Sequence, residues 1–181
     1  NISRAIHLPV QSGSNRILKL MNRHYTKEHY LELVKEIYEK IPNAKLSTDI
    51  IVGFPTETDE DYNETRELVK QVHYNNIFAF MYSKRSGTKA EVMEDQVPME
   101  VKNFRVNDLL NLQKQITKDS VKNSVGTTEK CLIVEKLENG VLAKTDSGRT
   151  IIILNEDDSS MRFCKVKITK LEKNQLYGEI I

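Results

Sequence analysis

Through the first half of this sequence, short apolar runs break into polar, glycine-containing turns and then into amphipathic stretches, an order that few folds accommodate. Ala5–Val10 runs into Gln11-Ser12-Gly13-Ser14, and Leu46–Val52 into Gly53-Phe54-Pro55. Ile77–Tyr82 is a third run, followed by the polar loop Ser83–Gly87. Ser12 or Ser14 caps a first helix with Ile17, Leu18 and Met21. Thr26 caps a second, in which Tyr30, Leu31, Val34, Ile37, Tyr38 and Ile41 recur every three or four residues until Pro42-Asn43 stops it. Thr58, followed by Asp59, Glu60 and Asp61, starts a third helix with acids where the helix dipole favours them. Strand–helix–strand–helix–strand predicts a parallel sheet with helices packed outside, and a reactive face at the carboxyl ends of the strands.

A long helical pattern follows from Glu100 to about Asn123, with Val101, Phe104, Leu109, Leu112 and Ile116 expected on one face. Gly126 marks a change of character. Thr128–Glu135, Val141–Thr145, Thr150–Leu154, Lys165–Thr169 and Leu176–Ile181 are rich in strand formers. The segments between them, Glu138–Gly140, Asp146–Gly148, Glu156–Ser160 and Lys173-Asn174, read as turns. Short strands without an intervening helix suggest a small OB-like barrel. The expected fold class is α/β plus all-β, with an α/β domain over residues 1–98, a connecting helix over 99–123 and a β barrel over 124–181.

Charge supplies little direction. The net charge is +1, so any nucleic-acid binding must come from local clustering. From Lys122 onward there are ten basic and nine acidic residues, and Lys144, Arg149, Lys165 and Lys167, on or beside strands, are the candidates for phosphate contacts. A solvated barrel surface explains them equally well. No apolar run is long enough to span a membrane, and the first residues lack the apolar stretch of a signal peptide. Cys131 and Cys164 lack metal-binding spacing and read as buried small hydrophobes, with a disulfide open only if they face each other. His7, His24, His29 and His73 share no metal-ligand or acid–base spacing, so no metal ligand is assigned.

Gln11-Ser12-Gly13-Ser14 offers an amide, two hydroxyls and backbone N–H groups beside a helix terminus, which suits a ribose, carboxylate or phosphate. An ordinary capped turn is the competing reading. Asp49 interrupts the apolar run Leu46–Val52, and a carboxylate on a helix-covered strand needs a partner or a site. Gly53 permits close approach of a ligand or simply turns the chain. Glu57 reads as a helix-entry acid rather than a catalytic one. Ser83, Lys84 and Arg85, after the last run, point toward the same face by position, and a solvated basic loop explains them equally well.

The segments His7–Ser14, Met21–Thr26, Leu46–Thr58, Met81–Thr88 and Glu94–Pro98 occur in an order that resembles the radical-SAM tRNA methylthiotransferases of the MiaB type. The stretch from about Ser124, closing with Val166-Lys-Ile-Thr169 and Leu176-Tyr-Gly-Glu179, resembles a TRAM domain. The resemblance implies the C-terminal half of such an enzyme: part of a parallel (β/α) radical-SAM barrel, a connecting helix and an RNA-binding TRAM barrel.

The resemblance also implies a cytoplasmic enzyme that methylthiolates C2 of N-isopentenyladenosine at tRNA position 37, using S-adenosylmethionine and two 4Fe-4S clusters. The cysteine triads that hold those clusters do not occur here. The fragment alone is therefore expected to be inactive, and its open half barrel to self-associate. Gln11 and Ser12 are implied to meet the ribose or methionine moiety of the cofactor. Asp49 is implied to meet one of its polar groups, Ile51, Val52 and Gly53 its adenine, and Arg85 the cofactor or substrate. The threonylcarbamoyl branch of the family and a non-catalytic RNA-binding module are the alternatives. A CxxxCxxC motif upstream of His7 in the gene would separate enzyme from module.

Overall fold

The structure, a computed structural model, describes residues 4–146 and 148–181. Ser147, in the expected turn Asp146–Gly148, lies outside the described residues. Contacts divide the chain into two units, Ile6–Ile116 and one built on Thr117–Ile181.

The first unit alternates strand and helix: β1 (Ala5–His7), α1 (Asn15–Leu20), α2 (Lys27–Lys40), β2 (Lys45–Val52), α3 (Asp59–Val72) and β3 (Asn76–Met81). The sheet order is β1-β2-β3, and β2 and β3 run parallel with Asp49 opposite Phe78 and Ile51 opposite Phe80. Helix termini follow the local chemistry. Ser14 and Thr26 cap α1 and α2, and Thr58 and Asp61 form a reciprocal capping box on α3. Strand β2 alternates strictly, burying Leu46, Thr48, Ile50 and Val52 and leaving Lys45, Ser47, Asp49 and Ile51 half-buried on its other face. The buried set packs with Val10, Tyr30, Val34, Tyr62, Leu68, Val69, Tyr74 and Leu109 into one core. Only one face of this sheet is covered by that core; Phe78 and Phe80 on the other are 46% and 52% exposed.

Helix α4 (Met99–Asn123) differs from the sequence expectation. Its buried residues are Lys102, Arg105, Leu109, Gln113 and Ile116, whereas Phe104 is 66% exposed. Two cations occupy the stripe because their heads have buried acceptors, described below, while their aliphatic stems pack like apolar chains. Among the described residues no helix is long and apolar enough to cross a membrane.

The second unit is a closed barrel of β4 (Thr128–Leu137), β5 (Gly140–Thr145), β6 (Thr150–Leu154), β7 (Phe163–Glu172) and β8 (Gln175–Ile180), in the order β4-β5-β6-β8-β7. Neighbours are antiparallel except β6 and β8. Cys131, Ile133, Val141, Ala143, Ile151, Ile153, Val166, Ile168 and Leu176 fill the interior. Lys173 and Asn174 both have positive φ, 47° and 66°, as a two-residue type I′ hairpin requires. Cys131 and Cys164 are direct partners across β4 and β7 and are both free. Burial pushes the Cys131 thiol up to about 12, as expected of a packed rather than reactive cysteine.

Candidate functional site

The loop after β1 is held to β2 by both its edges. Gln11 N–H donates to Asp49 O (2.9 Å), and Ile51 N–H donates to Gln11 O (2.9 Å). Ser12 N–H donates to Val10 O (2.9 Å) across a three-residue turn whose centre, Gln11, has φ 68°. That tight positive-φ form is uncommon and persists where surrounding bonds over-determine it, as here.

The polar groups of the following turn are engaged internally. Ser12 is fully buried, with its hydroxyl 3.3 Å from Thr65 Oγ1 and accepting from Ser14 N–H (3.2 Å). Gly13 N–H donates to Thr65 Oγ1 (2.9 Å), and a Cβ on Gly13 would lie 2.5 Å from Thr65 Cα. Ser14 Oγ donates to Asp61 Oδ1 (2.6 Å) and accepts from Ile17 N–H. The backbone N–H groups expected for a phosphate are thus engaged, that of Gly13 by α3 and those of Ser12 and Ser14 within the turn, as in a capped turn. Arg16 pairs with Asp61 and donates to Thr56 O (2.6 Å), which ties the turn to the end of β2. Burial opposes ionisation of Asp61, but bonds from Arg16, Ser14 and Thr58 hold its carboxyl well below the usual range.

A mixed polar and apolar face lies on the other side of the sheet. Asp49 Oδ2 is 3.4 Å from His7 Nε2, and His7 Nδ1 is 3.0 Å from Ser47 Oγ. The His7 ring meets Phe78 edge-on at 5.9 Å. Asp49, Ile51, Ser47 and His7 therefore share a face with Phe78 and Phe80, and the loop at Gln11 borders it. Val52 instead packs into the helix-covered core, and Ser12 is turned toward α3. Arg85 is exposed on the loop after β3, with its carbonyl accepting from Thr88 Oγ1 (2.8 Å).

At the carboxyl end of β2, Gly53 has φ 68°, and a Cβ there would sit 2.3 Å from Lys102 Cγ. Its N–H donates to Glu57 Oε1 (2.8 Å), which also accepts from Arg105 NH1 (2.6 Å). The Glu57 and Arg105 side chains are only 2% and 4% exposed. Glu57 is thus one half of a buried ion pair that fixes the Gly53–Glu57 turn, which corrects its reading as a helix-entry acid. Burial pushes its carboxyl up, against the pull of Gly53 N–H and Arg105. Lys102 Nζ donates to Tyr82 O (3.1 Å) and lies 5.3 Å from the Tyr82 ring centroid. Burial and the charge of Lys84 lower its pKa. Sequence reasoning missed Glu57, Lys102 and Arg105 together; the one available signal was two cations at helical spacing from Leu109.

The Radical SAM superfamily model matches residues 3–69, the stretch that contains the loop at Gln11, β2 and most of α3. Over 179 residues the chain is 46% identical to the tRNA-2-methylthio-N(6)-dimethylallyladenosine synthase of Clostridium botulinum (strain Langeland), covering 97% of this chain and 40% of that protein. The chain belongs to the MiaB-type radical-SAM family. The identically named synthase of Carboxydothermus hydrogenoformans is 43% identical over 183 residues, covering 99% of this chain and 42% of that protein. The chain thus spans about two fifths of the length of these MiaB-type relatives. In fold it is similar to the radical SAM enzyme coproporphyrinogen III oxidase of Escherichia coli, with a TM-score of 0.51 and 12% identity over 92% of this chain and 41% of that one.

On the barrel, Lys144, Lys165 and Lys167 are exposed on β5 and β7. Arg149 is half-buried and donates to Ser120 Oγ (2.6 Å), while Lys167 lies directly opposite Glu179. Among the described residues no group of three His, Cys, Asp or Glu side chains is arranged to hold a metal ion.

Proposed function

We propose that this chain is part of a radical-SAM tRNA methylthiotransferase that adds a methylthio group to C2 of N-isopentenyladenosine at position 37. The observation that carries this reading is 46% identity, over 97% of the chain, to a protein named for that product. In this reading residues 1–98 belong to the radical-SAM barrel, 99–123 connect, and 124–181 form a TRAM barrel that binds tRNA. The strand order β4-β5-β6-β8-β7 with its single parallel pair supports an OB-like relation for the last of these.

S-adenosylmethionine, when bound and reductively cleaved, supplies the radical that activates the tRNA adenine. The open sheet face suits such an amphiphilic nucleoside. Gln11 and Asp49 offer polar groups beside Ile51 and the exposed Phe78 and Phe80. Ser12, Val52 and Gly53 shape the backbone that presents them, and Arg85 meets cofactor or substrate from its loop. His7 orients the Asp49 carboxylate from one side. The two 4Fe-4S clusters of the full-length enzyme find no ligand set among the described residues.

Expression of the whole protein in bacteria that lack their own methylthiolation, followed by mass spectrometry of tRNA nucleosides, tests the reading. The expected product is 2-methylthio-N-isopentenyladenosine, lost in Asp49→Ala while cluster content is kept. A methylthiolated threonylcarbamoyladenosine would move the protein to the other branch. Binding of tRNA without any methylthiolated product, from folded and iron-loaded protein, would leave the RNA-binding module.

A further inference from the structure

The outward face of β4 and β7 carries an arrangement that sheet energetics disfavour. Ile133 N–H donates to Arg162 O and Ile168 N–H to Thr127 O, so odd-numbered residues of β4 occupy the hydrogen-bonded positions. Lys130–Lys165 and Leu132–Phe163 are then non-hydrogen-bonded pairs, where facing side chains come closest. Two like charges directly opposite at such a position destabilise the sheet. Next to them Phe163 stands 55% exposed, with Lys130 Nζ 4.5 Å from its ring centroid. On the other flank Lys144 lies opposite Leu132 on β5. The nearby carboxylates are Glu179 opposite Lys167, Glu135 opposite Leu142, and Asp146, which follows the Cys131–Thr145 pair on the Lys130 side.

We infer that this β5-β4-β7 face binds single-stranded RNA, with Phe163 stacking against a base and Lys130, Lys165 and Lys144 contacting the phosphates around it. An anion between Lys130 and Lys165 relieves their repulsion, and the exposed Phe163 ring offers an apolar platform to any base. Protein partners fit less well, because interface centres are depleted in lysine. The face is centred on β4 and β7 and shares only β5 with the second and third strands that OB-like barrels ordinarily use, here β5 and β6. The inference rests on the RNA-binding reading of the barrel and adds its location and chemistry.

The test uses the full chain, a fluorescent oligoadenylate about ten nucleotides long, and an abasic strand of equal length, read by anisotropy across a salt series. Phe163→Ala should weaken oligoadenylate binding roughly 5- to 150-fold with little change for the abasic strand, and Phe163→Tyr should restore it. Lys130→Gln and Lys165→Gln should each flatten the salt slope by about 0.7 for both strands. Unchanged affinity in all three loss variants, with wild-type chain still binding RNA, would overturn this face and leave the RNA-binding reading standing. Absence of salt-dependent binding by folded wild-type chain would overturn both. A change in oligomeric state on Phe163→Ala, without a change in RNA affinity, would make the face a protein interface and overturn the inference. Circular dichroism confirms that each variant is folded.

Discussion

Asp61 accepts from Ser14 (2.6 Å), Arg16 and Thr58 N–H (2.9 Å), so one carboxylate joins the turn after β1 to the start of α3. Its ordinary value is 3.8, and the folded value lies lower. The stabilisation is therefore complete above the unfolded value and is lost as pH falls from about 4 through the folded value. Asp61→Asn should cost about 2 kcal/mol near neutral pH and flatten the loss of stability below about pH 4. Urea midpoints of both chains between neutral and acid pH check this; parallel acid limbs would assign the limb to other groups. The capping role was readable from Thr58 and the three acids after it. The bonds to Ser14 and Arg16 were not, because they join residues far apart in sequence.

At the scale of elements, strand and helix order in both units follows hydrophobic period and turn chemistry closely. Helix α4 marks where that approach fails. Hydropathy assigns Phe104 inward and Lys102 and Arg105 outward, whereas the packed helix does the reverse, because Glu57 and Tyr82 O supply acceptors that only the folded chain assembles. Leu109→Ala should therefore cost about 2–5 kcal/mol and Phe104→Ala within about 0.5 kcal/mol in chemical unfolding. Comparable losses at the two positions would mean that α4 packs through a different face. Strand β2 shows the converse. Leu46–Val52 reads as one apolar run with Asp49 as the anomaly, and the structure resolves the strand into two faces, with the carboxylate on the open one.

For the molecule as a whole, the sheet face bearing Phe78 and Phe80 remains exposed to solvent in this chain. Two large exposed aromatic rings on one sheet face favour association. Sedimentation of the chain should show mass rising with concentration, and Phe78→Lys with Phe80→Lys should suppress it, since the added charges face outward. A monomer at all concentrations would show that the polar groups of His7, Ser47 and Asp49 suffice to keep this face hydrated.

The sequence by itself determined the element order, the helix caps, the switch to β structure at Gly126 and the positions of the loops at Gln11 and Gly53. Each rests on interactions within a few residues, where period, side-chain caps and backbone freedom act. The family also lay within reach, since its segments keep their order along the chain. Only the tertiary structure decided that the polar groups of Ser12 and Ser14 face α3, that His7 is the neighbour of Asp49, and that Arg105 completes Glu57. It also decided that Lys130 and Lys165 stand opposite each other. These are pairings between distant segments, set by sheet register and helix packing, and no local pattern encodes which partners will meet.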